Sequence, residues 1–133
     1  MDEVKICVEV EINPTESEDK VKRAVENIFG SISVQITSLY ERSLLVAEVK
    51  ELKVLTKLQN ILYRERIRNA SRRALFQGLK GNIISFCLNK QVAYVGHVSF
   101  SEEMAESPLG PIKVRIECAN PRELINWLAP KKA

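Results

Sequence analysis

At 133 residues, with 45% hydrophobic and 28% charged side chains, the chain has the makeup of an ordinary globular protein, long enough to bury a core without staples. A net charge of +3 is too small to argue for a partner by itself, and an aromatic content of 6% excludes base stacking as the whole of any nucleic-acid mechanism. Cys7, Cys87 and Cys118 are odd in number and widely spaced, which argues against a disulfide framework or a zinc site; with no secretory leader or membrane-length apolar run, the expectation is one cytosolic domain over residues 1–133.

Val4, Ile6, Val8, Val10 and Ile12 alternate with polar residues and Cys7, the period of a strand with one buried face. Asn13-Pro14-Thr15 ends it, and Thr15 or Ser17 is placed to cap a helix whose apolar stripe is Val21, Ala24, Val25, Ile28 and Phe29, stopped at Gly30. Ile32, Val34 and Ile36 predict a second strand and Leu44 to Val49 a third. Residues 52–79 predict one long helix or two consecutive ones. Leu55, Leu58 and Leu62 lie on one face and Tyr63, Ile67, Ala70 and Ala74 on another, so a bend or a helix gripped from both sides is expected. Asn82 to Asn89 and Val92 to Phe100 predict a hairpin turning at Asn89-Lys90-Gln91. Ser101 to Pro111, acidic and proline-bearing, predicts a surface loop. Ile112, Val114, Ile116 and Cys118 give a last strand, and Asn120-Pro121 with Glu123 opens a closing helix. The order β-α-β-β-α-β-β-β-α has no strict βαβ alternation. It predicts an α+β fold, a mostly antiparallel sheet with helices packed on one face.

Charge is distributed unevenly. Residues 1–30 hold eight acids against four bases, whereas residues 61–80 hold Arg64, Arg66, Arg68, Arg72, Arg73 and Lys80 against Glu65 alone. A guanidinium offers a planar fork of donors that matches phosphate oxygens, and five of them on one element repel one another unless an anion relieves them. On a continuous helix Arg64, Arg68 and Arg72 share one ridge, and Arg66 and Arg73 share another. Three readings are open: contact with nucleic-acid phosphates, which the scarcity of local acids favours; structural pairing with acids of the first helix or the 102–106 loop; and an oligomer interface. Gly78-Leu79-Lys80-Gly81 has the spacing by which some RNA-binding domains clamp backbone, but its glycines are also explained as a helix stop before a strand. Asn89, Lys90 and Gln91 at a hairpin tip form a second-rank contact set. His97, the one histidine, falls on a strand with no carboxylate nearby in sequence. No phosphate loop, metal-ligand cluster or paired-carboxylate motif is present, so neither a catalytic centre nor a cofactor is expected.

Several strings occur together in a fixed order: Asn13-Pro14-Thr15-Glu16, Arg68 to Ala74, Leu88-Asn89-Lys90-Gln91 followed by Val95-Gly96, Ser107-Pro108-Leu109-Gly110-Pro111-Ile112, and Trp127-Leu128-Ala129-Pro130. With them the whole chain resembles a family of small archaeal proteins described as RNA-binding or exosome-associated. The resemblance implies a fold similar to the large-subunit ribosomal protein that holds 5S rRNA, and allows a dimer. The chain departs from the family pattern at Asn69, where an aspartate is usual, and at His97.

The combined expectation is a non-catalytic protein that contacts structured RNA through its backbone. Arg64, Arg68 and Arg72 lead, helped by Arg66, Arg73 and Lys80, with Asn89, Lys90 and Gln91 behind them. The alternative is a protein-interaction module, a homodimer or a subunit of an RNA-processing complex.

Overall fold

In a computed structural model, which describes residues 3–101 and 110–131, the strand with the clearest alternation lies at the centre of the sheet. Strand β1 (Val4–Ile12) buries Val4, Ile6, Val8, Val10 and Ile12 and leaves the residues between them on the opposite face. It pairs antiparallel on one side with β3 (Arg42–Val49) and on the other with β7 (Ile112–Cys118). Beyond β3 lies β2 (Gln35–Leu39), and beyond β7 lie β5 (Ile83–Leu88) and the two-residue β4 (Leu79–Lys80), giving the order β2-β3-β1-β7-β5-β4. A short β6 (Phe100–Ser101) also pairs with β5, and every pairing is antiparallel.

The buried rows of β1, β3, β5 and β7 share one face, which the helices cover. α1 (Glu18–Phe29) is capped by Ser17, whose hydroxyl accepts from the Lys20 amide, and stops at Gly30 with φ 83°. α2 (Val54–Arg64) contributes Leu55, Leu58, Ile61 and Leu62 to the core, and α3 (Arg68–Gln77) contributes Leu75. α5 (Pro121–Leu128) starts as expected, with the Asn120 side chain accepting from the Glu123 amide and Pro121 in its first turn. Fully burying an aliphatic side chain stabilises by about 1.5–3 kcal/mol. The twenty-three buried valine, leucine and isoleucine side chains of a single cluster therefore outweigh any surface ion pair, such as Lys5–Glu48 at 3.7 Å.

Residues 52–79 form two consecutive helices, one of the two arrangements expected, separated at residues 65–67. Two expectations need correction. The second strand begins at Gln35; Ile32 and Val34 pack against the core from an irregular segment. The second arm of the expected hairpin is not a strand. Asn89 caps a five-residue helix α4 (Lys90–Tyr94), its side chain accepting from the Val92 amide, and extended pairing resumes only at β6. The expected acidic loop lies mostly outside the described residues, as do Glu102, Glu103 and Glu106. None of the three cysteines is in a disulfide.

Candidate nucleic-acid interface

The arginine cluster is built on the break between α2 and α3. At the end of α2 the Arg66 amide donates to the Tyr63 carbonyl at 3.2 Å, and the Ile67 amide to the Leu62 carbonyl at 3.2 Å. These two bonds define a Schellman stop, in which the residue past the cap takes a left-handed conformation and is usually glycine. Here that residue is Arg66, with φ 57°. An L-residue there costs about 1–2 kcal/mol, and Ile67 closes the motif by packing against the core.

The break removes the continuous ridges expected for the arginines. Arg64 is the last residue of α2; its guanidinium donates to the Gly96 carbonyl at 3.2 Å and lies 3.5 Å from Glu65. Arg66 projects from the turn, exposed. Arg68 opens α3 and stacks over the Tyr63 ring at 4.9 Å. Arg73 is exposed further along α3. Among the described residues, no carboxylate pairs with Arg66, Arg68 or Arg73. α3 adds to this positive field: its N-terminus has neither a capping side chain nor an acid in its first turn, so the positive end of its dipole is not offset.

Arg72 is different. Its guanidinium donates to Asn126 Oδ1 at 2.6 Å and to the Ala129 carbonyl at 3.2 Å, and lies over Phe76 at 5.0 Å. It fastens α3 to α5, which removes it from the leading trio expected from the sequence.

Lys80 is exposed on β4 beside the two glycines. Gly78 is required because a methyl group there would collide with the Ser85 carbonyl of β5, and Gly81 turns the chain with φ 59°. The Gly-x-x-Gly spacing thus follows from a tight turn and a close backbone approach. Asn89 and Gln91 belong to the start of α4, the first half-buried and the second exposed.

Lys90 is the clearest correction, for it is wholly buried. Its ammonium donates to the Glu11 carbonyl at 2.7 Å and to the Glu16 carboxylate at 3.0 and 3.3 Å. Glu16 also accepts from the Asn13 backbone and side-chain amides, at 3.0 and 2.9 Å, and from the Tyr94 hydroxyl at 2.9 Å. Burial pushes the Glu16 carboxyl up, but the bonds from Asn13, Lys90 and Tyr94 outweigh it and hold the group below its ordinary value. Burial and the neighbouring Glu16 raise the Tyr94 phenol. Two strings that marked the family resemblance, one before α1 and one after β5, are therefore two halves of a buried pin. Their separation of 74 residues concealed the pairing from sequence reasoning.

His97 lies in the irregular segment after α4, and it does have a carboxylate close by: its Nδ1 is 2.7 Å from Glu65 Oε2. Burial pushes Glu65 up, while His97, the Val98 amide and Arg64 together bring it below its ordinary value. The histidine side chain is 58% exposed, so this pair ties the α2–α3 turn to the α4–β6 segment at the surface. No group of three metal-ligating side chains occurs among the described residues, and no described helix is long and apolar enough to cross a membrane.

A family model described as RNA binding matches residues 5–118. A UPF0201 protein of Sulfurisphaera tokodaii is 46% identical over 129 residues, covering 97% of this chain and 89% of the relative. The chain belongs to the UPF0201 family. Its UPF0201 relative in Saccharolobus solfataricus is 42% identical over 130 residues, covering 98% of this chain and 90% of that one. The crystal structure of the UPF0201 protein from Methanococcus jannaschii superposes with a TM-score of 0.86 at 29% identity, covering 97% of this chain and 95% of that one. A DUF54 protein from Archaeglobus fulgidus shares the fold, with a TM-score of 0.64 at 22% identity and full coverage of both chains.

Proposed function

We propose that this UPF0201 protein binds structured RNA through backbone phosphates at the α2–α3 corner, without catalysis. The match of an RNA-binding family model to residues 5–118 carries the reading. The corner supports it, since Arg66 and Arg68 meet there, with Arg73 exposed further along α3, and none of the three has a carboxylate partner among the described residues. Arg64 adjoins them at the end of α2, and Lys80, on β4 past the other end of α3, and Gln91 are outlying contacts. Each arginine on a phosphate displaces condensed counterions, so affinity falls with salt in proportion to the number of contacts.

The test is anisotropy titration of an RNA hairpin, a DNA duplex and heparin at two salt concentrations. The Arg66→Ala/Arg68→Ala/Arg73→Ala variant should bind the RNA at least about tenfold more weakly. Its salt slope should be shallower by about one unit per arginine. Unchanged affinity and slope would remove the corner as the RNA site.

A second reading, a homodimer or a docked subunit of an RNA-processing assembly, is favoured by β2. All five residues of this edge strand are exposed, none is lysine or proline, and Ile36, Leu39 and the adjoining Tyr40 are large exposed hydrophobics. Such an edge is open to strand addition. Sedimentation equilibrium returning the monomer mass at high protein concentration would remove the homodimer.

A further inference from the structure

Between the end of α2 and the start of α3 the surface is indented. An open recess of about 390 Å³ is lined by Tyr63, Arg66, Arg68 and Asn69. We propose that this recess takes a single unpaired nucleotide of the bound RNA, its base stacked on the Tyr63–Arg68 layer and its phosphate held by Arg66. This rests on the RNA-binding reading above and adds to it the kind of RNA that is preferred.

Four observations carry the inference. Tyr63 is one of the few exposed large aromatics, and its ring already bears the Arg68 guanidinium at 4.9 Å. Unpaired bases stack on aromatic rings and on guanidinium planes, so the layer is formed before any base arrives. Asn69 is exposed at the rim, and its amide supplies both a donor and an acceptor, the combination needed to meet a base edge. Arg66 holds the left-handed position of the helix stop, where glycine would serve the backbone better. Its side chain, and not the turn, accounts for an arginine there. The lining has two cations and no carboxylate, which suits a nucleotide and opposes an apolar or basic partner. A fully paired duplex hides its base faces and can offer this recess only phosphates, so a bulged or looped nucleotide is the ligand that uses every lining group.

The experiment compares one RNA hairpin, fully paired, with the same hairpin carrying a single bulged 2-aminopurine, using the full chain. The bulged hairpin should bind about tenfold more tightly, as one base–aromatic stack allows, with 2-aminopurine emission quenched on binding. Tyr63→Leu should abolish both the preference and the quenching; Tyr63→Phe should retain both. Equal binding of the two hairpins by the wild type, or a preference that survives Tyr63→Leu, overturns the nucleotide site while RNA binding stands. Failure to bind either hairpin overturns both readings.

Discussion

Two groups of charged residues in this molecule use the same chemistry in opposite ways. At the pin between β1 and α4, Lys90 and Glu16 are almost fully removed from water, and both are surrounded by hydrogen-bond partners supplied by the chain itself. At the α2–α3 corner and along α3, Arg66 and Arg73 are solvated and, among the described residues, have no carboxylate partner. A buried charge whose partners are all internal fixes the fold, because nothing outside can reach it. An exposed set of like charges stabilises nothing internal, and its unmet hydrogen bonds are available to an outside anion. The number of charges in a segment is thus a poor guide to function; where their partners lie is a better one.

The comparison is broken most severely at the pin. Lys90→Met leaves the Glu16 carboxylate buried without its cation and should destabilise the fold by about 3–5 kcal/mol in urea denaturation. Adding Glu16→Gln should recover most of that loss, since a neutral pair no longer needs the charge. If Lys90→Met alone costs less than about 1 kcal/mol, the pair is not the structural element described here.

Acid should attack the same place more gently. The folded Glu16 titrates below its ordinary value of 4.5, so its contribution is fully present above about that pH. It is lost as pH falls through the depressed value. The urea midpoint of the wild type should therefore drop more steeply below about pH 4.5 than that of the Lys90→Met/Glu16→Gln variant. Parallel curves would mean that Glu16 is not the group responsible.

The smallest effect is the most discriminating. Arg66→Gly relieves the left-handed backbone and should raise stability by about 1 kcal/mol, while weakening RNA binding several-fold. A residue kept for the fold would lose stability on replacement. A variant that is both less stable and unchanged in RNA affinity would place Arg66 with the structural residues.

The elements legible in the sequence are those whose signals are local. β1 and β7 alternate cleanly because one face is buried, and α5 announces itself through Asn120-Pro121 and Glu123. The apolar drift along residues 52–79 foretold a bend, but its position was hidden because arginine stands where glycine would have marked the stop. α4 was misread as a strand because five residues are too few to show a helical period. It exists through Asn89 and through contacts from distant elements: Lys90 reaches Glu16, and the Asn27 side chain donates to the Ala93 and Tyr94 carbonyls. At the corner, the residue types were legible as a basic cluster, but not the division of labour. Only the packing of α5 reveals that Arg72 is engaged and its neighbours are not.

The pairing of β1 with β7 sets the order in which the molecule can be completed. Val4 meets Cys118 across the centre of the sheet, so β1 leaves the ribosome well before β7 and waits for it before its second edge is satisfied. Closing so long a loop is entropically slow, and until it closes one side of β1 presents an unpaired edge to neighbouring chains. The outward row of that strand carries Lys5, Glu9 and Glu11, and charges so placed oppose edge-to-edge association.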